Sequence, residues 1–268
     1  MDKRYHHMFS RLAQKREAAF IPFVMLGDPT MEACEAIIET LINNGADALE
    51  LGIPFSDPVA DGPVIQRADN RALNAGATPE SCMALVKRLR AKHDALPIGL
   101  LVYANLVVHH EITGFYELAK QSGVDSVLIA DVPRQESAPF VAAAHNAGIA
   151  PVLIAPPNAD EETLRDIARL SQGYVYLLGR GGVTGADREM ELPHTEHIAM
   201  LRNAGSAPVV VGFGISTPEH VRLAVRAGTS GAIAGSAIVA IIEQQRNDPD
   251  AMHQELARFT QKMKAATV

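Results

Sequence analysis

The chain lacks several features that would assign it to whole classes of protein. It has no tryptophan, and aromatic residues make up only 5% of its 268 residues, so a core must come mainly from Ala, Val, Ile and Leu. Two cysteines, Cys34 and Cys82, are too few for a disulfide framework and indicate a reducing compartment. Each lies on the apolar stripe of a predicted helix, so we expect both in the core. The sequence contains no run of about 18 apolar residues, so it predicts no membrane span. Residues 1–16 do not resemble a signal peptide, so we expect a cytoplasmic location.

Charge and composition narrow the remaining classes. A formal net charge of -7 argues against a nucleic-acid-binding protein, which would normally carry a basic face. Apolar residues at 47% and charged residues at 21% are typical of a globular chain rather than a disordered one. Because no linker or shift in composition divides the sequence, we predict one domain over residues 1–268.

Internal repetition is the strongest sign of organisation. Six times a glycine ends a helical pattern and a short, continuous apolar run follows, at Gly45, Gly123, Gly148, Gly173, Gly205 and Gly228. Continuous runs of this kind are typical of parallel strands that are buried on both faces. Two further apolar runs, at residues 20–26 and 98–105, bring the number of predicted strands to eight.

Helices are predicted between these strands. Thr78-Pro79, Thr217-Pro218 and Asp248-Pro249 each place a capping side chain before a proline at the first helical position. Eight strand–helix units in about 250 residues predict an α/β fold, a single (β/α)8 TIM barrel with extra helices. A doubly wound open sheet is the alternative that the same pattern allows.

In a barrel, the functional residues lie at the carboxyl ends of the strands. Glu50 interrupts an otherwise apolar strand there, and a buried carboxyl with a raised pKa suits a general acid that also acts as a base. Asp61, in the following loop, could supply a second carboxylate. The alternatives are a structural, hydrogen-bonded carboxylate at Glu50 and a simple Asp-Gly turn at Asp61.

Glycine-rich turns at the last two strands indicate a phosphate site. Residues 212–214, with Phe213 between two glycines, and Gly235-Ser236 offer backbone N–H groups near a helix start. Close packing of strand on helix would explain either glycine turn equally well. The loop of residues 179–185 contains four glycines and predicts a mobile lid, with a disordered surface loop as its alternative.

Some chemistries are disfavoured. None of the seven lysines lies in a predicted strand or strand-end loop, which argues against a Schiff base. The histidines form no pair at strand ends that suits a metal ion, so we predict no metal.

Residues 49–66, LELGIPFSDPVADGPVIQ, resemble the signature of tryptophan synthase α subunits. Shorter segments match the same family in order, from about Tyr5 to the end of the chain, among them residues 22–29, 100–107, 180–185 and 212–216. The resemblance implies a lyase that cleaves indole-3-glycerol phosphate to indole and glyceraldehyde 3-phosphate. It assigns acid–base catalysis to Glu50 and contact with the indole N–H to Asp61.

The resemblance also implies the binding residues. Tyr176 would support the site, and Thr184 would close over it with the lid. The matching positions for the indole pocket and the phosphate site, with Phe213 beside them, are Phe23, Leu101, Leu128, Ile154, Gly185, Gly214, Gly235 and Ser236. Three positions depart from the family: Met25, where Thr is commoner, and Gly179 and Gly181, from which we expect a more flexible lid loop.

A partner follows from the same resemblance. It implies an α₂β₂ complex with a pyridoxal-phosphate-dependent β subunit that receives indole, so the cofactor belongs to the partner and none to this chain. Residues 54–63 would then also form a contact loop. Two alternatives remain: another phosphate-binding barrel such as an indole-glycerol phosphate synthase, which needs a strand-borne lysine, and a non-catalytic phospho-sugar-binding barrel that only regulates a partner.

Overall fold

The computed structural model describes residues 3–179 and 195–268, and in these ranges nine strands form one parallel sheet. The strands are β1 (Ala19–Met25), β2 (Leu49–Gly52), β3 (Ile98–Val102), β4 (Ser126–Ile129), β5 (Ala150–Val152), β6 (Ile154–Ala155), β7 (Val175–Leu178), β8 (Val209–Gly212) and β9 (Gly231–Ala234). Their order is β5-β4-β3-β2-β1-β9-β8-β7-β6. All but four of their residues are buried, as expected for strands covered on both faces.

The two ends of this order are halves of one strand. Between β5 and β6, Leu153 leaves the ladder, and its N–H donates to Ser171 Oγ at 3.3 Å. The fifth predicted strand is therefore split, which accounts for nine strands instead of eight. Because β5 pairs with β4 while β6 pairs with β7, the sheet closes on itself around eight positions. The predicted (β/α)8 TIM barrel is confirmed, and the open doubly wound sheet is wrong.

Helices surround the barrel in the described ranges. They are α1 (Lys3–Lys15), α2 (Met31–Asn43), α3 (Pro63–Asn74), α4 (Pro79–Lys92), α5 (Ala104–His109), α6 (Ile112–Ser122), α7 (Ala138–Ala147), α8 (Glu161–Leu170), α9 (Thr195–Asn203), α10 (Pro218–Arg226), α11 (Ser236–Gln245) and α12 (Pro249–Ala265). The three predicted helix starts are confirmed: Thr78, Thr217 and Asp248 each accept a hydrogen bond from a backbone N–H three residues on. None of the helices in the described part is long and apolar enough to cross a membrane.

The core is mainly aliphatic, as predicted, but tyrosines occupy selected places in it. Cys34 and Cys82 are buried and free, which confirms their core assignment. All five tyrosines are also buried. Tyr5, from α1, reaches the amino-terminal floor of the barrel, where its hydroxyl lies 3.0 Å from Ser126 Oγ. A Cβ atom at Gly99 would lie 2.9 Å from that hydroxyl and 2.6 Å from Ser126 Oγ, so the floor requires glycine there.

Candidate active site

Glu50 lies in the middle of the barrel on β2. Its backbone is in register with Phe23 of β1 and Gly99 of β3, and the residue is 1% exposed. The hydroxyl of Tyr174, just before β7, donates to Glu50 Oε1 at 2.9 Å. The strand therefore carries one carboxyl into the barrel interior, with a neutral hydroxyl group as its partner.

This environment changes the acidity of Glu50. Burial raises its pKa to about 8, and the negative charge of Asp61 adds to the shift, whereas the Tyr174 hydrogen bond opposes it. The side chain is therefore mainly protonated at neutral pH. A carboxyl group that titrates near neutrality can both give and take a proton during turnover.

Asp61 lies in the loop between β2 and α3 and is 6% exposed. Tyr103, which follows β3, donates its hydroxyl proton to Asp61 Oδ2 at 2.6 Å and accepts a hydrogen bond from the N–H of Ala60 at 3.2 Å. Gly62 then serves as the N-cap of α3. A buried, hydrogen-bonded carboxylate is more than the simple Asp-Gly turn that the sequence allowed.

A small cavity joins the two carboxyl groups. Its volume is about 30 Å³, enough for a water molecule, and apolar side chains form much of its wall. It is lined by Phe23, Glu50, Asp61, Ile65, Leu101, Tyr176, Phe213, Ile233, Gly235 and Ser236. Eight of these ten were predicted as site residues, and Ile65 and Ile233 were not. Residues on five strands, on the helices α3 and α11 and in the loops after β2, β8 and β9 thus converge at the carboxyl end of the barrel.

Other predicted residues lie elsewhere. Ile154 lines a neighbouring cavity of about 650 Å³, which shares Phe213 with the small cavity. Leu128 is buried in β4 and lines neither cavity. Gly214, which is partly exposed and follows β8, lines neither cavity either. Thr184, Gly185 and Gly181 lie outside the described residues, as does the lid prediction apart from Gly179.

The two glycine turns follow β8 and β9 as predicted. Phe213 and Gly214 have φ angles of 66° and 83°, and α11 begins directly after Gly235. A Cβ at Gly212 would collide with the Tyr176 hydroxyl, so close packing explains that glycine. A Cβ at Gly235 would meet Phe23 only at 3.4 Å, close to an ordinary contact, so packing alone requires glycine there much less strictly. Backbone N–H groups at the start of α11 are suited to an anion.

Sequence reasoning missed two hydroxyl partners of the carboxyl groups. Tyr103 stood at a predicted strand end, but nothing in the sequence connected it with Asp61. Tyr174 could have been found from the alternation in residues 174–176, since side chains two apart on a strand share a face. Met25, the departure from the family, is buried against Gly52 and does not line the small cavity.

That the chain binds no metal stays a prediction. Within the described ranges, no three or more His, Cys, Asp or Glu side chains come together as a metal site would require.

Comparisons with known proteins agree with one another. A family described as tryptophan synthase alpha chain matches residues 9–268. The tryptophan synthase alpha chain of Vibrio vulnificus is 54% identical over 264 residues, which are 98% of each chain. The structure of tryptophan synthase subunit alpha from Legionella pneumophila has a TM-score of 0.88 at 28% identity and covers 100% of this chain and 98% of that one.

A further relative comes from an assembly. A chain from the tryptophan synthase a2b2 complex of Pyrococcus furiosus has a TM-score of 0.80 at 32% identity and covers 92% of this chain and 97% of that one. Sequence relatives and solved structures thus match nearly the full length of the barrel. This chain belongs to the tryptophan synthase alpha chain family.

Proposed function

We propose that this chain is the lyase subunit that cleaves indole-3-glycerol phosphate to indole and glyceraldehyde 3-phosphate. The observation that carries the proposal is the pair of buried carboxyl groups, Glu50 and Asp61, at one cavity in the mouth of the barrel. Burial raises the pKa of Glu50 to about 8, so the acid form needed to begin the reaction is available at neutral pH.

The proposed reaction begins when Glu50 protonates C3 of the indole ring. Asp61 accepts a hydrogen bond from the ring N–H and stabilises the positive charge that forms on the ring. The Glu50 carboxylate then removes the proton of the glycerol hydroxyl, the C–C bond breaks, and its electron pair returns to the ring as the new carbonyl forms. Glu50 is protonated again at the end, so the protons balance over one turnover.

The remaining residues of the proposed site bind the two ends of the substrate. Apolar side chains would contact the ring: Phe23 and Leu101, and beyond them Leu128 and Ile154. Gly214, Gly235 and Ser236, with Gly185, would bind the phosphate through N–H and hydroxyl groups. Tyr176, Phe213 and Thr184 would complete the wall.

The proposal includes a partner. The Pyrococcus furiosus relative comes from an a2b2 complex, and we infer the same arrangement here, with pyridoxal phosphate held by the β subunit. Residues 54–63 lie beside the cavity, and Val59 in this loop is 73% exposed, which suits a contact surface. We further propose that residues 1–268 form one domain and act in the cytoplasm.

The test is an indole-release assay on indole-3-glycerol phosphate, with and without added β subunit. We expect Glu50→Gln to lower kcat by about 10² to 10⁴, the usual contribution of general acid–base catalysis, with KM changed little. Asp61→Asn should cause a large but less complete loss. Glu80→Gln, an exposed substitution on α4, is the control.

Either of two results would contradict the proposal. Cleavage by Glu50→Gln at the wild-type rate would refute the acid–base role of this residue. Indole production that stays the same when β subunit is added would argue against the coupled complex.

A further inference from the structure

Asp69, on α3, is a buried carboxyl group that the proposed reaction does not use. It is 1% exposed and does not line the small cavity. Its Oδ1 accepts a hydrogen bond from the N–H of Phe55 at 3.0 Å, whereas Oδ2 has no hydrogen-bond partner among the described residues. A buried carboxyl oxygen without a partner is costly, so this side chain calls for an explanation beyond the stability of the fold.

The contacts of Asp69 lead to Asp61 through two aromatic side chains. Phe55, whose N–H donates to Asp69 Oδ1, stacks its ring on that of Tyr103, and the ring centroids lie 5.3 Å apart. Tyr103 in turn donates to Asp61 Oδ2 at 2.6 Å and accepts from the N–H of Ala60. The loop of residues 53–62 is therefore held at its start by Asp69 and at its end by Tyr103.

The charges around Asp69 belong to the same region. Burial raises the pKa of Asp69 to about 7, and the negative charges of Asp61 and Asp28 add to this shift. The hydrogen bond from the Phe55 N–H opposes it. The two cations of α3 are engaged elsewhere: Arg71 pairs with Asp28 and Glu243, and Arg67 pairs with Glu243. The hydrogen bond from the Phe55 N–H thus connects the carboxyl group of Asp69 to the loop of residues 53–62.

We propose that Asp69 is a positioning residue, whose carboxyl group fixes the start of the loop of residues 53–62 so that Asp61 points at the ring N–H of the substrate. This inference rests on the proposed function, because it assigns Asp69 a role in that reaction. Asp69 touches no reacting atom. It acts through the backbone of Phe55, the ring of Tyr103 and the carboxylate of Asp61.

The test is a double-mutant cycle with two substitutions that keep the heavy-atom shape of Asp69. Asp69→Leu removes the acceptor for the Phe55 N–H, and Asp69→Asn keeps an acceptor oxygen and removes the charge. We expect Asp69→Leu to lower kcat by about 10- to 100-fold, a loss typical of a misplaced catalytic group, with a much smaller change in KM. Asp69→Asn should recover most of kcat.

The decisive measurement is Asp69→Leu in the Asp61→Asn background. If Asp69 acts through Asp61, the second substitution should change kcat by less than about twofold there. Thermal melting monitors folding, and Asp69→Ser, too short to reach Phe55, replaces Asp69→Leu if the latter melts below the assay temperature.

The outcomes separate the two proposals. A loss that is fully additive with Asp61→Asn, or a loss that Asp69→Asn does not recover, overturns the positioning role while the lyase assignment stands. Wild-type protein with β subunit that releases no indole overturns both.

Discussion

Glu50, the acid–base group of the proposed reaction, illustrates at the scale of one residue how a buried carboxyl group lowers stability. Its folded-state pKa of about 8 lies above the ordinary value of 4.5, so between these pH values the folded state holds a proton that the unfolded state has lost. The free energy of unfolding is therefore not reduced by Glu50 below about pH 4.5, and it falls as the pH rises to about 8.

The upward shift in the pKa of Glu50 predicts a pH-dependent difference in stability between wild type and Glu50→Gln. Glu50→Gln should stabilise the protein relative to wild type at pH 9, and the difference should shrink towards pH 5. The interval between 4.5 and about 8 sets an upper limit of roughly 5 kcal/mol on that difference. Urea unfolding of both proteins at pH 5, 7 and 9 measures it. Unfolding free energies that run parallel at all three pH values would show that Glu50 does not titrate as described.

Both carboxyl groups of the site could be predicted from the sequence, but their partners could not. Glu50 stood out because an acidic side chain in an apolar strand needs a reason, and Asp61 followed from the loop after it. Tyr103 and Tyr174 resemble ordinary core aromatics until the barrel brings them within 2.6 and 2.9 Å of those carboxyl groups. Such pairings depend on which strands become neighbours, as for Tyr103, and which face each other across the barrel, as for Tyr174, and no local pattern encodes either.

At the scale of elements, one arginine ties the end of β1 to two helices. Arg71 of α3 makes paired hydrogen bonds of 2.8 Å to both oxygens of Asp28, a fully buried residue, and a third of 2.8 Å to Glu243 of α11. Burial raises the pKa of Asp28, and Arg71 opposes that shift. The elements that carry the Asp61 loop and the start of α11 are thereby held in a fixed relation.

Removal of this arginine should be costly. Arg71→Met leaves Asp28 buried without its cation, and we expect a loss of about 3 kcal/mol in the free energy of unfolding at pH 7. The loss should shrink at lower pH because Asp28 can then take up a proton. Arg67→Met, which breaks a more exposed pair with the same Glu243, is the matched control and should cost much less.

Chemical denaturation of the two variants and of Arg71→Met/Asp28→Asn makes the comparison. We expect the double substitution to recover much of the loss. Equal effects of Arg71→Met and Arg67→Met would mean that the buried pair contributes no more than the exposed one.

At the scale of the whole molecule, closure of the barrel depends on its fifth position. The repeat of strand and helix was sufficient to predict a (β/α)8 barrel, because eight such units can close in only a few ways. The interruption at Leu153 could not be predicted, since the apolar run of residues 150–155 is continuous in the sequence. Only the three-dimensional ring reveals that β5 pairs with one neighbour and β6 with the other.

The split strand should be the weakest part of the ring. β5 and β6 each pair with one neighbour, over three and two residues, whereas β2 and β3 pair on both sides, so we expect local opening to begin at β5 and β6. Native-state hydrogen exchange should give lower protection to the amides of Val152 and Ala155 than to those of Leu51 and Leu100. Equal protection throughout would indicate that the barrel opens only as a unit.

The tyrosines of the barrel floor have a consequence for the hydrogen isotope that the product carries. Beneath Glu50, the buried rings of Tyr174 and Tyr5 lie 5.5 Å apart between centroids and separate the carboxyl group from solvent on that side. In the proposed reaction, exchange with bulk water would then take place through the open end, which a bound substrate would block. In deuterated solvent, the label that reaches indole C3 would therefore record the isotope already stored on Glu50 before the substrate entered.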